Sequence, residues 1–212
     1  MCRLLCVRSA GPPFAMSEHL VALAGIAKTS KEYQGHGWGC AWLESGKWHT
    51  YHNIRSIWED ELSRFGDATV LLAHARSAFR DEGICVDNNM PFFDGEYVFI
   101  FNGELRGVRI REQGRIGAEK IFNYVKRFDH GDMLSGLNKA VEVITNRSRY
   151  IRALNFIMSS SSAIYVVSQF GEDPNYFQLY RCNEMGLDIV CSQQYTSRGV
   201  WRPIDNGAVL RL

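Results

Sequence analysis

"MCRLLCVRS" (residues 1–9) places a cysteine directly behind the initiator methionine and at the start of an apolar run interrupted by Arg3 and Arg8. The run reads as a β-strand. Cys2 has a small side chain, so methionine aminopeptidase should remove Met1 and leave Cys2 as the new N-terminus. A terminal cysteine carries a thiol and an α-amine on one carbon. The thiol, with a pKa of about 8.5, is mostly protonated at neutral pH, and a free α-amine with a pKa of about 8 can accept its proton, directly or through one water. The stretch therefore has two readings: a nucleophile with a base attached, or a small apolar residue that opens a strand.

The chain around it has 212 residues, 46% of them hydrophobic and 12% aromatic, enough to bury a sizeable core. Lys and Arg number 24 against 23 acidic residues, with no run of basic residues, which argues against a nucleic-acid partner. No apolar stretch approaches the roughly 20 residues that span a bilayer, and the start lacks the basic region and long apolar segment of a signal peptide. A cytoplasmic protein is the expectation. The six cysteines (Cys2, Cys6, Cys40, Cys85, Cys182 and Cys191) form no C-x-x-C pair, so no zinc or redox motif is expected; most read as small buried hydrophobes. His49 and His52 fall on opposite faces of a strand, so a shared metal is not expected. No cofactor is implied.

Hydrophobic periodicity orders the elements. A strand over residues 2–8 is followed by a helix over 17–30 with Ser17 as its N-cap. Strands 38–44 and 47–54 flank "SGK" as a hairpin. A short helix covers 58–65. Segments 69–77 and 97–103 read as strands buried on both faces, which need a further layer on each side. Helices over 118–128 and 133–145 run in sequence. Five strand-like segments follow as a β meander: 153–159, 163–170, 176–182, 187–192 and 207–212. Short connections imply antiparallel pairing. The expectation is an α+β protein, two antiparallel sheets packed face to face with helices outside, as one domain over 1–212.

Several stretches carry residues suited to chemistry. "HARSA" (74–78) ends a buried strand, where Arg76 could clamp a carboxylate with two parallel N–H bonds or form a surface ion pair. In "FIFNGEL" (99–105), Asn102-Gly103 is a strong turn signal. The functional alternative is that the Asn102 amide and the Gly103 main-chain N–H converge as an oxyanion hole. "GHGWGC" (35–40) lacks a phosphate-loop pattern and reads as a flexible loop that contacts substrate.

These pieces together resemble the class II glutamine amidotransferases. The resemblance rests on Met1-Cys2-Arg3-Leu4-Leu5, Gly37-Trp38-Gly39, His74-Ala75-Arg76, Asn88 through Phe92, and Asn102-Gly103 after a hydrophobic strand. Their order and approximate spacing match, and "WRPIDNGAVL" (201–210) is similar to the closing region of the small stand-alone members. The resemblance implies the N-terminal-nucleophile hydrolase fold, a four-layer α/β/β/α sandwich. It implies Cys2 as nucleophile with its freed amine as base, Asn102 and Gly103 as oxyanion hole, and a substrate site that includes Arg76 on the α-carboxylate with His74, Trp38, Gly39 and Glu119. The implied reaction cleaves the γ-amide of glutamine or a γ-glutamyl compound through a thioester. The resemblance leaves two arrangements open: an ammonia-supplying subunit with a separate synthase subunit as partner, or a self-sufficient γ-glutamyl hydrolase.

Three positions depart from the family pattern. Phe101 and Met90 stand where the family often has histidine. Gly117 stands where an aspartate often binds the substrate ammonium. Glu119 could reach that ammonium or simply complement a helix dipole. The departures support the alternative of a catalytically weak or silent regulatory or binding subunit.

Overall fold

The computed structural model describes residues 1–196 and 198–212. The chain opens with β1 (Arg3–Ser9) and a short β2 (Phe14–Ala15), then α1 (Met16–Lys28). Ala15, not Ser17, is the N-cap of α1, and no side chain caps it. Strands β3 (Trp38–Glu44) and β4 (Lys47–Asn53) form the expected hairpin. Its two-residue turn has positive φ at both Ser45 and Gly46, the backbone of a tight hairpin connection. The expected helix over 58–65 is two single 3-10 turns, Ile57–Glu59 and Leu62–Arg64. β5 (Asp67–Ala68), β6 (Val70–Ala75), β7 (Phe92–Phe93) and β8 (Val98–Arg106) come next, followed by α2 (Gly117–Lys126) and α3 (Met133–Asn146). The last third holds β9 (Tyr150–Ser159), β10 (Ile164–Ser168), α4 (Pro174–Phe177), β11 (Tyr180–Glu184), β12 (Leu187–Cys191), β13 (Val200–Pro203) and β14 (Ala208–Arg211).

The strands form two large antiparallel sheets. One has the order β13-β11-β12-β1-β6-β3-β4, the other β14-β10-β9-β8-β7. The expected meander is thus divided: β9, β10 and β14 join the second sheet, while β11, β12 and β13 join the first. The start of the 176–182 segment is helical in α4. β13 lies outside the five strand-like segments, at the start of the 201–210 stretch.

Alternation along the strands builds the layers. On β1, Leu5 and Val7 point to α1, together with Leu71 and Ala73 of β6 and Cys40 of β3. Leu4 and Cys6, with Leu72 and Ala41, point the other way, into the core shared with the second sheet. On β8, Phe99 faces α2 and stacks on Phe122 with ring centroids 5.0 Å apart. Helices α2 and α3 cover that outer face through Ile121, Val125, Leu137 and Ile144. The result is the expected α/β/β/α arrangement. No helix among the described residues is long and apolar enough to cross a membrane.

Candidate active site

A cleft of about 910 Å³ opens where β1, β6, β8 and α2 meet, lined among others by Cys2, Arg76, Ser77, Phe101, Gly103 and Gly117. Strand register assembles it. β1 pairs with β6 so that Arg3 lies opposite Ala75, which places Cys2, just before β1, beside the residues just after β6. The Ser77 N–H points to Cys2 Sγ at 3.5 Å, and Sγ lies 3.6 Å from the Ser77 carbonyl.

Asn102 approaches Cys2 from the second sheet. It is mid-strand in β8 and paired with Asn155 of β9, so Asn102-Gly103 is not a turn. The Cys2 main-chain N–H donates to Asn102 Oδ1 at 2.9 Å. Asn102 Nδ2 is buried with no hydrogen-bond partner, an uncommon state for a buried donor. Gly103 pairs with Leu154, whose own N–H turns away to the Gln169 carbonyl at 2.7 Å. By the alternation of an antiparallel ladder, the Gly103 N–H then points off the free side of β8. A Cβ at 103 would stand 2.3 Å from the Ala153 carbonyl oxygen, so only glycine fits.

Arg76 is buried at 5% exposure, and no carboxylate pairs with it among the described residues. Its guanidinium donates to Asn89 Oδ1 at 3.2 Å and to the Gly83 carbonyl at 2.8 Å. Burial pulls its pKa down. A buried cation held only by neutral acceptors favours an anion as its missing partner. The alternative of a surface ion pair at Arg76 is excluded by this burial.

Burial pushes the Cys2 thiol pKa up, against smaller opposite effects from the N-terminal ammonium, the Ser77 N–H and Arg76. The thiol therefore needs a base to ionise near neutral pH. With Met1 in place, the Cys2 nitrogen is an amide and cannot supply one. The Met1 ammonium pairs with Glu32, and its carbonyl accepts from the Tyr176 hydroxyl at 2.7 Å. Glu32 also pairs with Arg152 at 3.0 Å.

Four other expected substrate residues lie away from the cleft lining. Trp38 is fully buried on the α1 side of its sheet and donates to Asp60 Oδ2 at 3.0 Å. Gly39 is enclosed by β4 and Met90, with a hypothetical Cβ only 2.6 Å from the Met90 carbonyl oxygen. His74 is fully buried in the core, and neither ring nitrogen closes a hydrogen bond. Burial and the nearby Arg76 charge lower its pKa to about 3, so it is neutral. Glu119 is engaged by Arg115, whose Nε lies 3.0 Å from both carboxylate oxygens. The 35–40 loop props the end of β6 rather than lining the cleft: the Arg76 N–H donates to the Gly37 carbonyl at 2.9 Å, and Gly37 has φ +104° against Asn89.

Sequence reasoning missed Asn89, Gly83, Glu32, Arg152 and Tyr176. Asn89 lies inside the quoted 88–92 stretch, so a signal for it existed. Glu32, Arg152 and Tyr176 are scattered along the chain with no spacing that marks them. His49 and His52 have separate roles: His49 stacks on Trp42, and His52 Nε2 lies 2.9 Å from the Pro91 carbonyl oxygen.

No protein-family model and no curated protein matches the sequence. Solved structures do match in fold. Glutamine phosphoribosylpyrophosphate amidotransferase from B. subtilis superposes with a TM-score of 0.70 at 14% identity, over 99% of this chain and 47% of that one. This chain thus spans about half the length of that protein. It spans nearly all of two others. A glutamine aminotransferase class-II domain protein from Silicibacter pomeroyi matches with TM-score 0.67 and 14% identity, over 99% of this chain and 94% of that one. A protein described as a predicted glutamine amidotransferase from Pseudomonas aeruginosa matches with TM-score 0.61 and 15% identity, over 99% and 96%. At such identity the likeness concerns architecture: the chain has the α+β fold of the class II glutamine amidotransferase domains.

Proposed function

We propose that the protein is an amidohydrolase that cleaves the γ-amide of glutamine or a γ-glutamyl compound through a Cys2 thioester. The observation that carries the reading is the pairing, in one cleft, of the Cys2 thiol with a buried Arg76 that lacks a carboxylate partner. Arg76 holds the α-carboxylate of the substrate. Once Met1 is removed, the Cys2 α-amine takes the thiol proton, and Sγ attacks the γ-carbonyl carbon. The negative charge that develops on the carbonyl oxygen is met by Asn102 Nδ2 and the Gly103 N–H. The protonated amine then gives its proton to the departing nitrogen as the C–N bond breaks. Water, activated by the same amine, hydrolyses the thioester and restores the thiol. Delivery of ammonia to a separate synthase subunit is compatible with this scheme.

Gly117 bears on substrate choice. It opens α2 on the cleft, and outside its chain neighbours and its own helix backbone no atom lies within 4 Å of where its Cβ would be. Gly117 offers no carboxylate to a substrate ammonium, Glu119 is committed to Arg115, and of the acidic residues that line the cleft Glu32, Glu104 and Glu112 are already paired with cations, which leaves Glu82 on an exposed turn. Free glutamine is therefore the weaker substrate in this reading, and a γ-glutamyl amide with contacts on its leaving-group side the better one.

The second reading, a silent binding subunit, is favoured by the anchoring of Met1 at both its ammonium and its carbonyl. The test is the intact mass of the protein from its host, followed by treatment with a γ-glutamyl electrophile and mapping of the adduct. Loss of Met1 with labelling at Cys2 supports the hydrolase. Retained Met1, or labelling confined to the exposed Cys85, supports the silent subunit.

A further inference from the structure

Four arginines from three segments of the chain line one concavity of about 570 Å³ on the surface, closed by Ile110 and Tyr124. Arg109 and Arg111 come from the segment between β8 and α2, Arg127 caps the C-terminus of α2, and Arg147 caps that of α3. Main-chain bonds fix their anchor points. The Arg109 N–H donates to the Arg147 carbonyl at 2.9 Å, and the Arg149 N–H to the Arg106 carbonyl at 3.1 Å. Arg127 Nη1 reaches the Arg111 carbonyl at 3.4 Å.

The groove has little acidic compensation. Glu112 lies 3.4 Å from Arg127. Arg109, Arg111 and Arg147 have no acidic partner among the described residues. The chain as a whole carries a net charge of only +1, so the concentration is local rather than compositional. Arg127 and Arg147 complement the negative ends of α2 and α3. Arg109 and Arg111 stand on irregular chain beside the same two helix ends, so four guanidinium groups gather where two helix termini call for about one unit of positive charge between them. Gathered like charges repel, and an anion in the groove would relieve the repulsion.

We propose that this groove binds a small ligand carrying two or more adjacent phosphate groups. Guanidinium forks match phosphate oxygens in pairs, and four of them suit more than one phosphate. The concavity has the size of a small-molecule site, whereas an acidic polypeptide would need an extended surface. Tyr124 is only 8% exposed, so recognition rests on the phosphates and not on a stacked ring. Ile110 lines both this groove and the Cys2 cleft, and Glu112 lines the cleft. A bound ligand therefore braces a wall of the cleft.

The test is calorimetric titration of inorganic tripolyphosphate into the full chain at low salt, with sulfate and a ten-residue polyglutamate as comparisons. The expected result is saturable one-to-one binding, at least about 10-fold tighter than sulfate. The Arg109→Ala/Arg111→Ala variant should weaken it by about 10-fold or more, with little change in thermal stability because both side chains are exposed and neither caps a helix. Arg55→Ala, an exposed arginine elsewhere, should leave it within about 2-fold. Amide exchange over residues 107–112 should slow in the complex. No saturable binding up to about 10 mM, an equal loss in Arg55→Ala, or polyglutamate binding as tightly would each overturn the proposal.

Discussion

Asn102 Oδ1 accepts the Cys2 main-chain N–H at 2.9 Å, while Asn102 Nδ2 is left buried and unpartnered. One end of the amide is spent on holding the nucleophile's own backbone. The other is an uncommitted donor, fully buried behind the cleft lining. Asn102→Ala should therefore lower kcat by about 100- to 1,000-fold with a much smaller change in KM, as expected for a donor that acts on transition-state charge. Steady-state kinetics on the Met1-processed protein with a γ-glutamyl amide check this, and near-normal turnover would reduce Asn102 to a structural residue.

Arg76→Lys should raise KM by about 10-fold. Lysine keeps the charge but loses the fork that fits a carboxylate and the two fixed bonds to Asn89 and the Gly83 carbonyl. A second readout is thermal stabilisation by added glutamate, which the wild type should show and the variant should lose.

Gly103→Ala should destabilise the protein by about 1–3 kcal/mol through overpacking against main chain. The new methyl would meet the Ala153 carbonyl oxygen at 2.3 Å and the Phe101 ring at 2.5 Å. Denaturant unfolding measures the cost. A variant as stable as the wild type would mean that β8 and β9 can separate there.

Gly117→Asp should behave oppositely. The added side chain meets open space at the N-terminus of α2, where a negative charge complements the helix dipole. Stability should hold or rise slightly, and kcat/KM for free glutamine should increase by about 10-fold or more through a charge-assisted bond to its ammonium. Efficient glutamine hydrolysis by the wild type, unaltered by the substitution, would show that another group binds the amine.

His74 should make the fold acid-sensitive. Its pKa is lowered to about 3 in the folded chain, against about 6.5 when unfolded. Between those values the unfolded state binds the extra proton, so the contribution is present above about pH 6.5 and is lost as pH falls toward 3. Each pH unit in that window costs about 1.4 kcal/mol at most. Acidification from pH 6.5 to 5.5 should thus destabilise the wild type more than His74→Phe, by about 1 kcal/mol in paired unfolding curves. Equal losses would mean that His74 is protonated in the folded state.

Much of this architecture was legible in the chain order of its residues. Alternation and apolar runs over 2–8, 38–44, 47–54, 69–77 and 97–103 mark strands because neighbouring side chains point to opposite faces, and those faces must be covered. The spacing in 118–128 and 133–145 marks helices for the same kind of reason. The motif residues Cys2, Arg76 and Asn102-Gly103 stood out because local sequence carries them.

What only the tertiary structure decided is where each side chain points. A turn signal at Asn102-Gly103 lost to strand pairing, because Asn155 and Leu154 supply a ladder that a local propensity cannot anticipate. Trp38, Gly39 and His74 belong to the motifs that carry the family resemblance, yet strand alternation and enclosure by adjoining chain turn them into the interior. The partition of β9 to β14 between two sheets depends on which exposed strand edge each segment meets, β1 for β12 and β9 for β10. Glu32 and Tyr176 hold Met1 from two distant parts of the chain, and Arg152 joins them through Glu32. Such contacts are fixed by packing, since no local pattern specifies which distant side chain satisfies a buried charge.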